Sequence, residues 1–204
     1  LFSQLEITHK VTCFNFKRQY PEFLFPGKTQ YESGKSAVDI PSIKSLDSIN
    51  PITWYSTSKK IIDINPDLVI FRCWNSFFSL MMGLIAKTIK YNNQKVHLMA
   101  VCDNIIPHES QLFDKWLMKY FLKEMDSSIV QSGIVEKELI TLLPDAKYLK
   151  LFHPIYNVFS DKIKSSIALK KLNIKKKYVI LYFGMVRPYK GFDILIRSVR
   201  FLKE

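Results

Sequence analysis

Cysteine is scarce in this 204-residue sequence, and its pattern is unpaired: Cys13, Cys73 and Cys102 are odd in number, widely spaced and form no C-x-x-C. That excludes a disulfide framework and a zinc knuckle, and it points to a reduced, cytoplasmic setting. Long apolar runs are lacking too. The longest, Phe77 to Ala86, is broken by Ser79 and Gly83 and falls well short of the roughly 20 residues a bilayer-spanning helix needs. No charged-then-apolar leader follows Leu1, so no signal peptide is expected. Acidic residues are thin after residue 147, where Lys147, Lys150, Lys162, Lys164, Lys170, Lys171, Lys175 to Lys177, Arg187, Lys190, Arg197, Arg200 and Lys203 carry much of a net charge of +12. Such a balance favours anionic partners, although most lysines of this kind only keep a surface solvated.

What is present is a core. Hydrophobic residues make up 48% and aromatic residues 14%, which excludes a disordered chain. From residue 60 the pattern alternates. Leu68 to Phe71 reads as a strand, and Ser76 to Tyr91 as a helix with Phe77, Leu80, Met81, Leu84, Ile85 and Ile89 on its apolar face. Val96 to Cys102 is the next strand; Glu109 to Glu124 is a helix whose apolar side is marked by Leu112, Trp116, Met118 and Phe121. Ile129 to Gln131, a helix capped by Ser132 and ended by Pro144, and a strand over Tyr148 to Phe152 complete the series. The fold class this predicts is α/β, a doubly wound, Rossmann-like parallel sheet. Earlier in the chain, Lys10 to Phe16 reads as a strand, and residues 18–58 as a long, partly ordered loop. Tyr178 to Phe183 is a second apolar strand candidate, followed by a loop and a helix over Lys190 to Leu202.

That last strand–loop–helix carries the chemistry. A strand that breaks at a glycine and opens a helix presents backbone N–H groups and a positive dipole end. Gly184 and Gly191 allow close backbone approach, while Arg187 and Lys190 add two charges and Pro188 stiffens the turn. Such a loop can hold a diphosphate and stabilise charge on a departing nucleotide. The spacing is neither G-x-x-x-x-G-K-[ST] nor G-x-G-x-x-G.

The stretch F-G-M-V-R-P-Y-K-G-F-D-I-L-I, Phe183 to Ile196, resembles the start of the donor domain in family-4 retaining glycosyltransferases of the GT-B fold. Lys190-Gly191 matches that family's pattern, Met185 stands at its usual arginine, and Arg187 lies two residues later as the substitute. H-P-I-Y-N-V-F, His153 to Phe159, is similar to the family's interdomain crossover, and D-N-I-I-P-H-E, Asp103 to Glu109, to the loop after its fourth strand. The resemblance implies a GT-B enzyme, of the hexosyltransferase class, that moves a sugar from a nucleotide-sugar donor to a glycan or lipid-linked acceptor. It implies an acceptor-side domain over 1–152, a crossover over 153–177 and the start of a donor domain over 178–204. The family's opening strand with its glycine-rich turn, and its pair of glutamates separated by seven residues, are not found here. On that ground the chain is expected to be a fragment, inactive by itself. No metal and no cofactor are expected, the nucleotide-sugar being a substrate.

Site candidates follow. Gly184, Arg187, Lys190 and Gly191 are the donor-diphosphate group. Asp103 and His108 are candidates for a catalytic or sugar-facing role; both also suit capping of a turn or helix. His108-Glu109 is half of a zinc-protease H-E-x-x-H, but Leu112 takes the place of the second histidine. Arg72, Trp74, Asn104 and Glu109 are acceptor- or sugar-side candidates, with a structural Arg–aromatic packing as the alternative. His153 and His97 read as structural. The basic stretch 162–177 and the aromatic loop 20–31 are candidates to dock on an anionic membrane surface, which would place the protein peripherally on the inner face. The other classes weighed are a basic Rossmann-like nucleic-acid or anion-binding module without catalysis, and a different GT-B enzyme such as a sugar epimerase. No nucleic-acid partner is expected, because no RNA-recognition signature occurs and the basic residues are not interleaved with aromatics.

Overall fold

The computed structural model describes residues 2–22, 40–106, 113–153, 155, 161–176, 178–184 and 186–202. The chain divides into two units, Leu1–Val158 and Phe159–Glu204.

The first unit is α/β, with parallel strands alternating with helices in a Rossmann-like manner. After a short helix α1 (Phe2–Leu5), strands β1 (Cys13–Arg18) and β2 (Ser42–Asp47) form a two-stranded parallel sheet. Helix α2 (Pro51–Ile64) leads to a four-stranded parallel sheet of β3 (Leu68–Cys73), β4 (His97–Cys102), β5 (Ser127–Val130) and β6 (Tyr148–Lys150), in chain order. The crossovers of this sheet are α3 (Ser79–Asn92), α4 (Asp114–Leu122) and α5 (Gly133–Leu142). Both sheets reach one core. Phe78, Met81, Ile89, Leu98, Met118, Phe121, Val130 and Leu139 are fully buried, and Phe14, Phe16 and Leu46 of the smaller sheet pack against the cluster.

The register brings all four strands of the larger sheet to one level. Cys73 pairs with Cys102, Cys102 with Val130, and Val130 with Lys150. Whatever follows those four residues therefore stands at one edge, where parallel α/β sheets place their ligands.

Strand β2 and the first half of helix α2 fall inside the span read from sequence as loop. The start of α2 was visible in principle: the Asn50 side chain accepts from the Ile52 N–H at 3.1 Å, and Pro51 occupies the first turn. Its buried face is Trp54, Thr57, Ser58 and Ile61. Half of that stripe is hydroxyl, so the apolar period is lost. The hydroxyls are satisfied locally, with Thr57 donating to Ser45 at 2.9 Å and Ser58 to the Trp54 carbonyl at 2.8 Å.

Two apolar faces also differ from expectation. Leu80 and Leu84 of α3 and Trp116 of α4 are exposed, and the buried positions of α3 include Ser79, Met82, Gly83 and Ala86. The small residues are inside because α4 lies close. A Cβ on Gly83 would fall 2.4 Å from Cε1 of Tyr120.

In the second unit, helices α6 (Ser165–Lys171) and α7 (Phe192–Val199) form, with a 3-10 turn at Pro188–Lys190. Tyr178 to Phe183 is not a strand. An extended run becomes a strand only with a hydrogen-bonding neighbour, and the described residues of this unit contain no other strand. Instead Tyr182 packs its ring on Phe192, with centroids 4.7 Å apart.

Candidate functional site

Just beyond the common level of β3 to β6 lies an open cleft of about 380 Å³ lined by Arg72, Asp103, Gln131, Ser132 and His153. Each of the four strands contributes. Arg72 is the penultimate residue of β3, Asp103 follows β4, Gln131 and Ser132 follow β5, and His153 comes three residues after β6.

Two sequence candidates meet here and pair with each other. Arg72 Nε donates to Asp103 Oδ2 at 2.9 Å and Arg72 Nη2 to Oδ1 at 3.3 Å, a two-pronged contact that fixes the carboxylate plane. The Asp103 N–H in turn donates to the Cys73 carbonyl at 2.8 Å, continuing the β3–β4 ladder by one residue. The loop beyond is pinned by Ile105, which is buried, and by the Ile106 N–H, which donates to Glu138 at 3.2 Å. Asn104 sits in this loop, half-buried, with its carbonyl 4.0 Å from the Cys73 thiol. The adjacent Cys102 thiol, then burial, pushes the Cys73 thiol well above its ordinary range, so it stays a protonated core residue.

Gln131 was not singled out by sequence. Its Oε1 is buried and meets no hydrogen-bond donor among the described residues. A buried acceptor without a partner costs about 1–3 kcal/mol, so a donor supplied from the cleft is the natural complement. Ser132 caps α5 as the sequence implied, its hydroxyl oxygen accepting from the Val135 N–H at 3.2 Å while its own proton remains to donate. Lys150 bonds Glu136 at 2.7 Å and holds that carboxyl below its ordinary range. His153, read from sequence as structural, lines the cleft. Arg72, Asp103, Gln131, Ser132 and His153 together offer a cation, a positioned carboxylate, an open amide acceptor, a hydroxyl and an imidazole. That set suits a ligand rich in hydroxyl groups.

Trp74 is elsewhere employed. Its ring lies 4.8 Å from Phe78 and 6.4 Å from Phe16, and its Nε1 donates to the Tyr20 hydroxyl at 3.3 Å. His108 and Glu109 lie outside the described residues. So do Met185 and most of the His153 to Phe159 stretch. His97 contacts the Ser127 hydroxyl at 2.8 Å, on the far end of the sheet from the cleft.

The diphosphate candidates belong to the second unit. Gly184 has φ +127° and Gly191 φ +66°, both in the region that disfavours a side chain. Arg187 precedes the 3-10 turn, whose backbone closes through Lys190 N–H to the Arg187 carbonyl at 3.0 Å and Gly191 N–H to the Pro188 carbonyl at 3.2 Å. Gly191 then serves as the N-cap of α7 and offers no side-chain cap. Lys190 folds back over the start of the loop, so that a Cβ on Gly184 would stand 3.0 Å from its Nζ. Asp193, in the first turn of α7, is paired with Arg197 at 3.4 Å.

Among the described residues no group of three His, Cys, Asp or Glu side chains could hold a metal ion, and no helix is long and apolar enough to cross a membrane. Comparison of the chain with protein-family models, with curated proteins and with solved structures returns no match.

Proposed function

We propose that this chain belongs to a retaining glycosyltransferase that moves a sugar from a nucleotide-sugar donor to a glycan or lipid-linked acceptor. The observation that carries the reading is the second unit's loop, where the Lys190 ammonium reaches back to 3.0 Å from the position a Cβ on Gly184 would take, at a backbone φ of +127° that favours glycine. A loop of that kind brings a cation and bare backbone together around one small anion. In the reaction, Lys190 and Arg187 would neutralise the diphosphate as the glycosidic bond to it breaks. The first unit's cleft would contact hydroxyls of a sugar, with Gln131 Oε1 and Asp103 accepting and Arg72 holding the carboxylate in place. On this reading the protein works in the cytoplasm, where the donor is made.

Calorimetric titration with a panel of nucleoside diphosphate sugars tests it. The expected result is saturable binding of one nucleotide class, weakened at least about tenfold by Lys190→Ala, in keeping with loss of one charge-assisted contact. Equal affinity for a mixed-sequence RNA, lost at high salt, would put the non-catalytic anion-binding module in its place.

A further inference from the structure

We propose that the α3–α4 face of the first unit docks on an anionic lipid bilayer, with Trp116 entering the interface and Lys119 and Lys123 meeting lipid phosphates.

Helix α4 buries Met118, Phe121 and Leu122, which fixes the opposite side as its outer face. At a helical repeat of 3.6 residues the centre of that outer face is Trp116, and its side chain is 62% exposed. Phe113, at the start of the helix, is 73% exposed on the same side. The Tyr120 ring stacks on Trp116, with centroids 6.1 Å apart and planes 17° from parallel, and its Cε1 and Cδ1 edge lies close to Gly83 of α3. On α3 itself Leu80, one turn before Gly83, and Leu84, the residue after it, are exposed. Large apolar side chains lying side by side in water mark an interaction surface.

The charge around this patch selects the partner. Lys115, Lys119 and Lys123 follow one another at four-residue spacing along α4 and are exposed, and the exposed Lys87 stands on α3. The nearby acids are Asp114, which accepts from the Ser76 hydroxyl at 2.6 Å, and the half-buried Glu124. Cores of protein–protein interfaces are poor in lysine. A tryptophan flanked by lysines whose apolar stems can lie along it is the pattern of a helix face resting in a lipid headgroup layer. Of the two stretches that sequence alone offered for such a contact, the aromatic loop lies mostly outside the described residues, with Tyr20 stacked on Phe77 at 6.0 Å, and the basic stretch 162–177 belongs to the second unit.

Binding to vesicles without any nucleotide-sugar tests the docking by itself, so its failure leaves the transferase reading untouched. The 204-residue chain is mixed with phosphatidylcholine vesicles, with and without phosphatidylglycerol. Trp54 is buried and Trp74 half-buried, so Trp116 is the tryptophan whose emission reports on solvent. The expected result is salt-sensitive co-sedimentation with phosphatidylglycerol vesicles, a blue shift of emission, and quenching by brominated acyl chains. Lys119→Glu with Lys123→Glu lowers the partition coefficient at least about tenfold, since each basic residue near such a surface contributes about fivefold. Trp116→Ala, at an exposed position that folding does not need, lowers it as well. No co-sedimentation, or co-sedimentation that both variants leave unchanged, overturns the proposal. So does a concentration-dependent dimer in sedimentation velocity that Trp116→Ala abolishes, because a second copy would then cover the face.

Discussion

Replacing Gly83 by alanine sets two effects of opposite sign against each other. Within a helix, alanine is favoured over glycine by about 1 kcal/mol. In the close α3–α4 contact, however, the added methyl would meet Tyr120 Cε1 at 2.4 Å and Cδ1 at 2.7 Å, where ordinary contact begins at 3.4 Å. The ring must therefore retreat by 1.0 Å, the difference between 3.4 and 2.4 Å, and it cannot do so freely because it is stacked on Trp116. The Phe121 Cα, already at 3.4 Å, leaves the backbone no slack. Overpacking of this kind costs about 1–3 kcal/mol. The expected net effect of Gly83→Ala is a loss of about 1 kcal/mol, measured by urea unfolding followed by far-ultraviolet circular dichroism. In a Tyr120→Ala background the same change is expected to be neutral or stabilising, by up to about 1 kcal/mol, because only the helix-propensity gain remains. A gain in stability from Gly83→Ala with Tyr120 in place would refute the packing described for these helices.

Two further outcomes follow from hydrogen bonds at helix and strand ends. Asp126 Oδ2 accepts from the Leu98 N–H and from Lys90 Nζ, each at 2.7 Å; burial pushes its carboxyl up, but these two donors outweigh burial and hold it below its ordinary range. A depressed folded-state value stabilises above the unfolded value of about 3.9 and is lost as pH falls through the folded one. Asp126→Asn is therefore expected to cost roughly 1 kcal/mol near neutral pH, after discounting for its part-exposed side chain, and progressively less below about pH 4, as read from urea midpoints. A difference from the parent chain that grows toward acid would contradict this. Ser132→Ala removes the α5 cap and is expected to cost about 1 kcal/mol in thermal melts, with Ser132→Asn retaining most of it.

How much was legible in the sequence depends on where the apolar side chains fall. The strands β3 and β4 are nearly unbroken apolar runs bounded by polar breaks, and both were found within two residues of their observed bounds. Helix α2 is hidden in the sequence because Thr57 and Ser58 occupy half its inner stripe, and a hydroxyl satisfied inside a fold looks polar in a sequence. Sequence puts Leu80, Leu84 and Trp116 on inner faces and the structure exposes them, because a helix apolar on several sides does not say which side is covered. The real cue was Gly83, where the helices approach. Tyr178 to Phe183 read as a strand because composition reports burial potential, not the presence of a pairing neighbour.

The site divides the same way. Asp103 and Arg72 were named because each stands at the end of a strand, yet their mutual pairing, between residues 31 apart, comes only from the register of β3 against β4. Gln131 and His153 needed the alignment of all four strand ends, and nothing local marks either.

The proposed function rests on binding of a nucleotide-sugar diphosphate by the loop that carries Gly184, Lys190 and Gly191. The direct measurement is a nitrogen-15 amide titration of the chain with a nucleoside diphosphate. Saturable shifts of the Gly184, Lys190, Gly191 and Phe192 amides are expected, with affinity at least about tenfold weaker in Lys190→Ala. Saturable shifts that spare this loop, or that persist unchanged in Lys190→Ala, would contradict the proposed function.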